Sequence, residues 1–324
     1  MLCPIQYGIL MCRIDSKYLY SGGSMIGYKQ IAAAGILLLM GISVAAATAK
    51  RQDTSKKYVR SGVYDIVLKD EGKITDIVQK SLKQHDRRIT LTFYTEGEYM
   101  GDISLLVEDL MMNALEIDDK PTDGDYIRYQ YGGYTLSYSH IWLGTQYLYT
   151  IRIEPIYYTT PEQETRTDSA VKEILKKLDI DLFASDYEKI RKIHDYLYST
   201  VTYDIIHQNN DNYHLDTTAY AALINRTARC QGYSVAAYRL LREAGIDCRI
   251  VKGTVDHDGT AQLHAWNLVE LNGAYYNLDV TWDKLLETDD YFLKSDHSMP
   301  DHIRDSEYDA ESFRSRYPVA ENDY

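Results

Sequence analysis

Asn272-Gly273, set between two strand-like runs, constrains the fold of this chain more tightly than any other short segment. Asn-Gly accepts positive φ at both positions and favours a type I′ turn, the tight connection of a β-hairpin. Residues 263–271 (Leu-His-Ala-Trp-Asn-Leu-Val-Glu-Leu) and 274–279 (Ala-Tyr-Tyr-Asn-Leu-Asp) become its arms. A two-residue loop fixes the register, so Leu271 opposes Ala274, Val269 opposes Tyr276 and Trp266 opposes Asp279. Opposed residues share a face, and so do alternate residues along one strand. His264 and Asp279 therefore point to the same side, one diagonal step apart. Such neighbours are about 7–8 Å apart at Cα, a gap that an imidazole and a carboxylate can close. The bland alternative is a His–Asp pair on an exposed sheet face.

A second local pattern supplies a partner for that pair. Tyr233, Ala236, Ala237, Leu240, Leu241 and Ala244 form one apolar stripe at the helical period, which predicts a helix from Cys230 to Ala244. Gly245 follows as a residue able to end it in positive φ, and Arg239 and Arg242 suit its negative pole. Cys230 extends the stripe to the helix N-terminus. Unpaired backbone N–H groups and the positive end of the macrodipole favour a thiolate there. The same N–H groups are able to stabilise an oxyanion. A lone helical Cys is more often a packed small hydrophobe. Its company with a His–Asp pair instead points to a nucleophile, a base and an orienting acid.

Six segments carry a family resemblance: Glu-Lys-Ile-Arg-Lys-Ile-His-Asp-Tyr-Leu (188–197), Ala-Tyr-Ala-Ala-Leu-Ile (219–224), Cys-Gln-Gly-Tyr-Ser (230–234), Gly-Thr-Val (253–255), His-Ala-Trp-Asn (264–267) and Asp-Val-Thr-Trp-Asp (279–283). From about Ser185 to Asp283 the chain resembles the bacterial transglutaminase-like superfamily. Tyr-Phe-Leu-Lys-Ser-Asp (291–296) resembles the family's trailing segment. The resemblance implies a papain-like α+β fold, with a Cys-bearing helix packed on an antiparallel sheet that carries His and Asp. It implies a triad of Cys230, His264 and Asp279, and acyl transfer or hydrolysis at amide bonds through a thioester. Transglutaminases, proteases, amidases and inactive members share this pattern. The rivals to an acyltransferase are thus a cysteine peptidase or amidase and a non-catalytic binding module. Arg226 and Arg229 depart from the pattern, since relatives often carry Gly near the first and a small apolar residue at the second. Gln231 and Tyr203 are weak candidates for an oxyanion donor, and Trp266, on the His264 face, is a candidate cleft wall. The chemistry requires no cofactor or metal.

Composition bounds the partners and the compartment. The 324 residues have a formal net charge of −13, which argues against a nucleic-acid partner, since such affinity rests on Lys and Arg. The resemblance implies a protein or peptide amide as the substrate, and export would place it at the cell surface. Tyr outnumbers Phe 31 to 4, which suits a wet binding surface or plain strand propensity equally. Ile31–Ala49 is apolar, follows Lys29, and holds small-residue cleavage sites ahead of Lys50-Arg51. It reads as a signal peptide, which predicts export. An uncleaved membrane anchor is the alternative, and then the only membrane contact. Cys3 and Cys12 lie in the leader; Cys248 is expected within a strand as a buried small hydrophobe.

Three parts follow: a leader at 1–49, an α/β domain of unreadable role at 50–160 that opens with a basic linker (50–60), and the catalytic domain at 161–324. In the first domain, helices are expected at 65–85 and 102–115. Strands are expected at 88–95, 126–131, 134–140 and 146–158, with Gly132-Gly133 as a tight turn. Helices are expected from Pro161 and from Ser185. His194 reads as a packed core histidine. Asp256-His257-Asp258-Gly259 reads as an exposed turn rather than a metal loop. Asp283 reads as a brace after Trp282. His297 and His302 read as surface residues, with a substrate-cleft role as the alternative. Residues 1–24 make no recognisable n-region, whereas Met25 begins a signal of normal length. Peptide mapping of the native protein is expected to return no peptide from residues 1–24, and any such peptide refutes initiation at Met25.

Overall fold

The computed structural model describes residues 70–116, 118–180, 184–207, 210, 212–257 and 259–324, with short strands at 19–21, 24–26 and 61–65. The apolar stretch 31–49 and the basic segment 50–60 lie outside the described residues. In chain order the elements are β1 (Leu19–Ser21), β2 (Ser24–Ile26), β3 (Ser61–Asp65), α1 (Glu71–Lys83), β4 (Arg88–Thr95), α2 (Ile103–Glu116), α3 (Asp125–Arg128), β5 (Tyr131–Trp142) and β6 (Tyr147–Tyr157). Next come α4 (Pro161–Lys177), α5 (Asp186–Thr200), β7 (Thr202–Tyr203), β8 (Thr227–Ala228), α6 (Cys230–Glu243), β9 (Cys248–His257), β10 (Thr260–Leu271) and β11 (Ala274–Leu278). The chain ends with α7 (Val280–Leu286), β12 (His302–Arg304), α8 (Ser306–Asp309) and α9 (Glu311–Arg316). The fold is α+β. Among the described residues no helix is long and apolar enough to cross a membrane.

Two four-stranded sheets organise it. The first runs β3-β4-β6-β5, antiparallel except for the parallel β3–β4 pair, and is backed by α1 and α2. The second runs β11-β10-β9-β12 and is antiparallel throughout. Helix α6 packs on this second sheet, and Tyr233, Ala236, Ala237, Leu240 and Leu241 are buried as their spacing predicts. Gly245 ends the helix at φ +83.

The ends of α4 and α5 follow from local chemistry. Thr160 and Gln163 form a capping box with Pro161 at the helix start. Ser185 and Glu188 do the same for α5. On α5, Ile190, Ile193 and Leu197 face the core. The Asn272-Gly273 turn has φ values of 57 and 86, and β10 pairs β11 with Leu271 opposite Ala274 and Val269 opposite Tyr276. Cys248 is fully buried on β9, and both it and Cys230 are free thiols.

Two expectations need correction. Residues 126–130 are not a strand, and only Tyr131 belongs to one, as the first residue of β5. Asp125–Arg128 is a helical turn that buries Tyr126 and Tyr129, three residues apart, in the core around α6. The turn is pinned from outside: Asp125 accepts from Arg249 Nε at 2.7 Å, from Arg249 Nη2 at 3.0 Å and from the Ile250 N–H at 2.8 Å. Tertiary pairing to a buried carboxylate thus overrides strand propensity. Gly132-Gly133 is not a turn either. It lies inside β5, where the register with β6 shifts between Tyr131 and Tyr134 and Gly133 takes φ +92, the mark of a bulge.

Gly253 has a steric duty on β9. A Cβ there would collide with the Ile303 backbone carbonyl, so only glycine lets β12 lie against β9. Gly253→Ala is expected to destabilise the protein by about 1–3 kcal/mol, the usual cost of overpacking. Urea unfolding midpoints check this; an unchanged midpoint refutes the steric role.

Candidate active site

The site is assembled where α6 starts, where β10 passes it, and where β11 turns into α7. Cys230 is the first residue of α6 and is partly buried. Two bonds tie that helix to β10: Ser234 Oγ donates to the Ala265 carbonyl at 2.9 Å, and Asn267 Nδ2 donates to the Ser234 carbonyl at 3.0 Å. His264 is therefore held one residue from a fixed crossing point, near enough to act on the Cys230 thiol. On its other side, His264 Nε2 lies 2.5 Å from Asp279 Oδ2. Both side chains are almost completely buried.

Asp279 is fixed by its place in the chain. It caps α7, with Oδ1 accepting from the N–H groups of Thr281 at 2.9 Å and Trp282 at 3.1 Å. Oδ2 is left for imidazole. Because His264 Nε2 faces the carboxylate, Nδ1 is the ring nitrogen left for the thiol.

The electrostatics run in one direction around the three groups. Burial raises the Cys230 thiol, but its hydrogen bond and attraction to His264 outweigh that and bring it below its ordinary value. Burial lowers His264, while the charge and hydrogen bond of Asp279 push it up to about 10. Burial raises Asp279, and His264 with His302 holds it well below the usual carboxylate range. A thiolate–imidazolium pair is the state these shifts favour.

The remaining predicted residues divide. Tyr203 lines a cleft of about 290 Å³ beside His264, together with Val255, Gln262, Leu263, Trp282 and Leu285. Gln231 uses its amide nitrogen on the Tyr129 carbonyl at 2.7 Å, which braces α6 and leaves it poorly placed as an oxyanion donor. Trp266 is a correction. It is 1% exposed, stacks behind His264 at 6.0 Å and donates to Asn277 Oδ1 at 2.9 Å; Trp282 walls the cleft instead.

His194 is buried between Asp195 and Asp283, at 3.0 Å from each. Asp283 also accepts the Tyr291 N–H at 2.9 Å. Asp256 accepts the Gly259 N–H at 2.8 Å in the β9–β10 turn, and His297 is exposed. Arg226 takes φ +60, the backbone state that favours the glycine of relatives. Arg229 precedes α6 and donates Nη2 to Asp216 at 3.1 Å.

His302 is the residue whose place the sequence conceals. Its side chain is 2% exposed, not at the surface, and its Nε2 lies 3.0 Å from the same Asp279 oxygen that His264 uses. His264, Asp279 and His302 bring three potential ligand atoms within 4.8 Å of one another. Their N–O separations of 2.5 and 3.0 Å are hydrogen-bond distances. Two ligands at about 2.1 Å on a tetrahedral metal stand roughly 3.4 Å apart, wider than either separation here.

Residues 180–280 match the model of the transglutaminase-like superfamily. This segment is thus similar to the transglutaminase-like core. Two solved structures are similar. One is a TGase, with 18% identity over 59% of this chain and 51% of that one, at a TM-score of 0.33. The other is a candidate cysteine protease from Cytophaga hutchinsonii, with 14% identity over 47% of this chain and 65% of that one, at a TM-score of 0.30. The chain thus spans less than two thirds of either. No curated protein matches the chain.

The raised pKa of His264 has a consequence for stability. A group with a folded pKa above its unfolded value of about 6.5 adds stability that is full below that pH and fades as pH rises through the folded value. The contribution of His264 is therefore expected to fall between pH 6.5 and about 10. Asp279→Asn removes the charge that raises it and is expected to flatten this slope. Urea unfolding of both proteins across that range checks it; parallel profiles refute the assignment.

Proposed function

We propose that this protein is an exported, thiol-dependent acyltransferase or hydrolase acting on protein or peptide amides through a thioester on Cys230. The observation that carries the reading is the buried His264 Nε2–Asp279 Oδ2 contact at 2.5 Å beside a Cys230 thiol whose pKa His264 lowers. Export rests on the apolar stretch Ile31–Ala49 and the small residues that close it.

The chemistry follows from the protonation states. The Cys230 thiolate adds to the amide carbonyl carbon, forming a C–S bond and moving the carbonyl electron pair onto oxygen. Backbone N–H groups at the start of α6 are the donors for that oxygen, with Tyr203 in the cleft lining as a second candidate. As the oxyanion collapses, the C–N bond breaks and imidazolium His264 gives its proton to the departing nitrogen. An amine or water then adds to the thioester, with His264 taking its proton and Cys230 leaving as thiolate. Asp279 stays ionised and keeps the ring in place.

The cleft walls bear on the substrate. Leu263, Leu285 and Leu286 are 75%, 51% and 49% exposed around the cleft mouth, beside His264 and Trp282. Apolar side chains left in water at a cleft favour a ligand that covers them. The acyl donor is therefore a peptide segment with an apolar residue next to the reacting amide.

Cys230→Ala is expected to reduce turnover of a peptide carboxamide by a factor of about a thousand or more with little change in melting temperature. Mass spectrometry of the product formed with dansylcadaverine present separates transfer to the amine from hydrolysis. Retained activity in Cys230→Ala overturns the mechanism. A wild-type Cys230 that reacts with iodoacetamide like an ordinary free thiol, with no rate plateau at low pH, favours a non-catalytic binding module.

A further inference from the structure

His302 has no task in the acyl-transfer scheme, yet it is held with as much care as the triad. Its Nε2 shares Asp279 Oδ2 with His264, at 3.0 and 2.5 Å respectively. Its Nδ1 lies 3.0 Å from Asp301 Oδ1, and Asp301 Oδ2 accepts from the Tyr291 hydroxyl at 3.0 Å. The ring is enclosed by Trp266 at 5.1 Å, Trp282 and Tyr291 at 5.3 Å, and His264 at 5.6 Å. The backbone is fixed as well. His302 sits opposite Val255 on the edge strand β12, whose close approach depends on Gly253.

Resting on the thiol–imidazole reading above, we propose that His302 is a positioning residue that donates its Nε2–H to Asp279 Oδ2, locking the carboxylate and dividing its charge between two imidazoles. An oxygen that accepts two N–H groups is a weaker acceptor for each. With His302 in place, His264 is held in orientation but is not gripped as an over-stable imidazolium. That matters because a general acid has to release its proton to the leaving nitrogen. Partners at this remove from the reacting atoms commonly carry large effects where histidines act in a site.

The groups that face His302 define what a pH profile can report. Asp279 stands at the start of α7, Asp301 is on its own segment, His264 is on β10 with Cys230 beyond it, and Tyr291 follows α7. Asp296, Arg304, Asp309 and Arg314 line a cavity of about 210 Å³ on its far side. There Arg304 pairs with Asp296 and Arg314 with Asp309. Asp279 is held below the interval from pH 6 to 10 and burial pushes Tyr291 above it, so a change there belongs to the His264–Cys230 pair and to Lys252 on β9, which burial lowers to about 8 and the Cys230 thiolate pulls back up.

The test is the rate of Cys230 alkylation by iodoacetamide from pH 4 to 11, in the full chain and in His302→Leu and His302→Gln. In the wild type the thiolate–imidazolium pair gives a plateau and an upper inflection when His264 loses its proton. In His302→Leu that inflection is expected to rise by about half a pH unit or more, because Asp279 then serves one imidazole. Gln places an amide N–H near the position of Nε2 and is expected to return the inflection to the wild-type value. A residue that merely fills space would leave the inflection where it is. No rise in His302→Leu, or a His302→Gln profile that follows Leu, overturns the proposal. Absence of the plateau in the wild type instead overturns the thiol–imidazole reading. If circular dichroism shows His302→Leu unfolded, ¹⁵N-histidine NMR of the wild type decides. A proton on His302 Nε2 supports the proposal, and a bare Nε2 refutes it.

Discussion

One buried carboxylate organises the site. Asp279 is 1% exposed, and a charge that deep is tolerated only when every lone pair finds a donor. Oδ1 takes two backbone N–H groups at the start of α7, and Oδ2 takes two imidazole nitrogens. The first set costs the protein nothing extra, since those N–H groups need a cap in any case. It also means that Asp279 cannot rotate without uncapping a helix. The His264 ring inherits its orientation from a backbone feature, and the Cys230 sulfur inherits its environment from the ring.

The sulfur is delivered by a second constraint. Helix α6 must lie at a set height on β10 for Cys230 to meet His264. Ser234 and Asn267 set that height by bonding the two elements in both directions. Gln231 ties the same helix turn to Tyr129, and Asp125 binds Arg249 and the Ile250 N–H on β9. The short helical turn at Asp125–Arg128 and the Tyr129 that follows it, between α2 and β5, therefore contact α6, which carries Cys230, and β9, which pairs with β10. This gives that region a positioning role visible in coordinates but in no motif.

What was legible in the sequence is what has a local cause. The Asn272-Gly273 turn and the stripe from Tyr233 to Leu241 each specify geometry within a dozen residues, and through it the meeting of His264 with Asp279. The family segments agreed with both. What was illegible depends on distant pairing. Tyr126 to Tyr131 reads as a strand until the Asp125–Arg249 bond is known, although the spacing of Tyr126 and Tyr129 also fits one helical turn. His302 lies on a three-residue strand, too short for any period to show. Its one trace is Gly253, a glycine inside a strand, which signals a backbone coming close. Trp266 was placed on the correct face, but a face alone does not say whether the sheet or the solvent covers it.

The edge strand β12 joins stability to chemistry. An edge strand is ordinarily the weakest part of a sheet, with unpaired backbone on one side. Here it carries a ring that reaches the central carboxylate, and it is fastened by Asp305 N–H to the Lys252 carbonyl at 2.9 Å and by Asp256 N–H to the Asp301 carbonyl at 3.0 Å. If β12 peels away, Asp279 loses one of its two imidazole donors while remaining buried, and His264 faces a more basic acid. Opening at the edge would thus alter proton transfer before it disturbed the helix, the hairpin or the thiol. The segment after residue 283, beyond the triad in the chain, is in this sense part of the site.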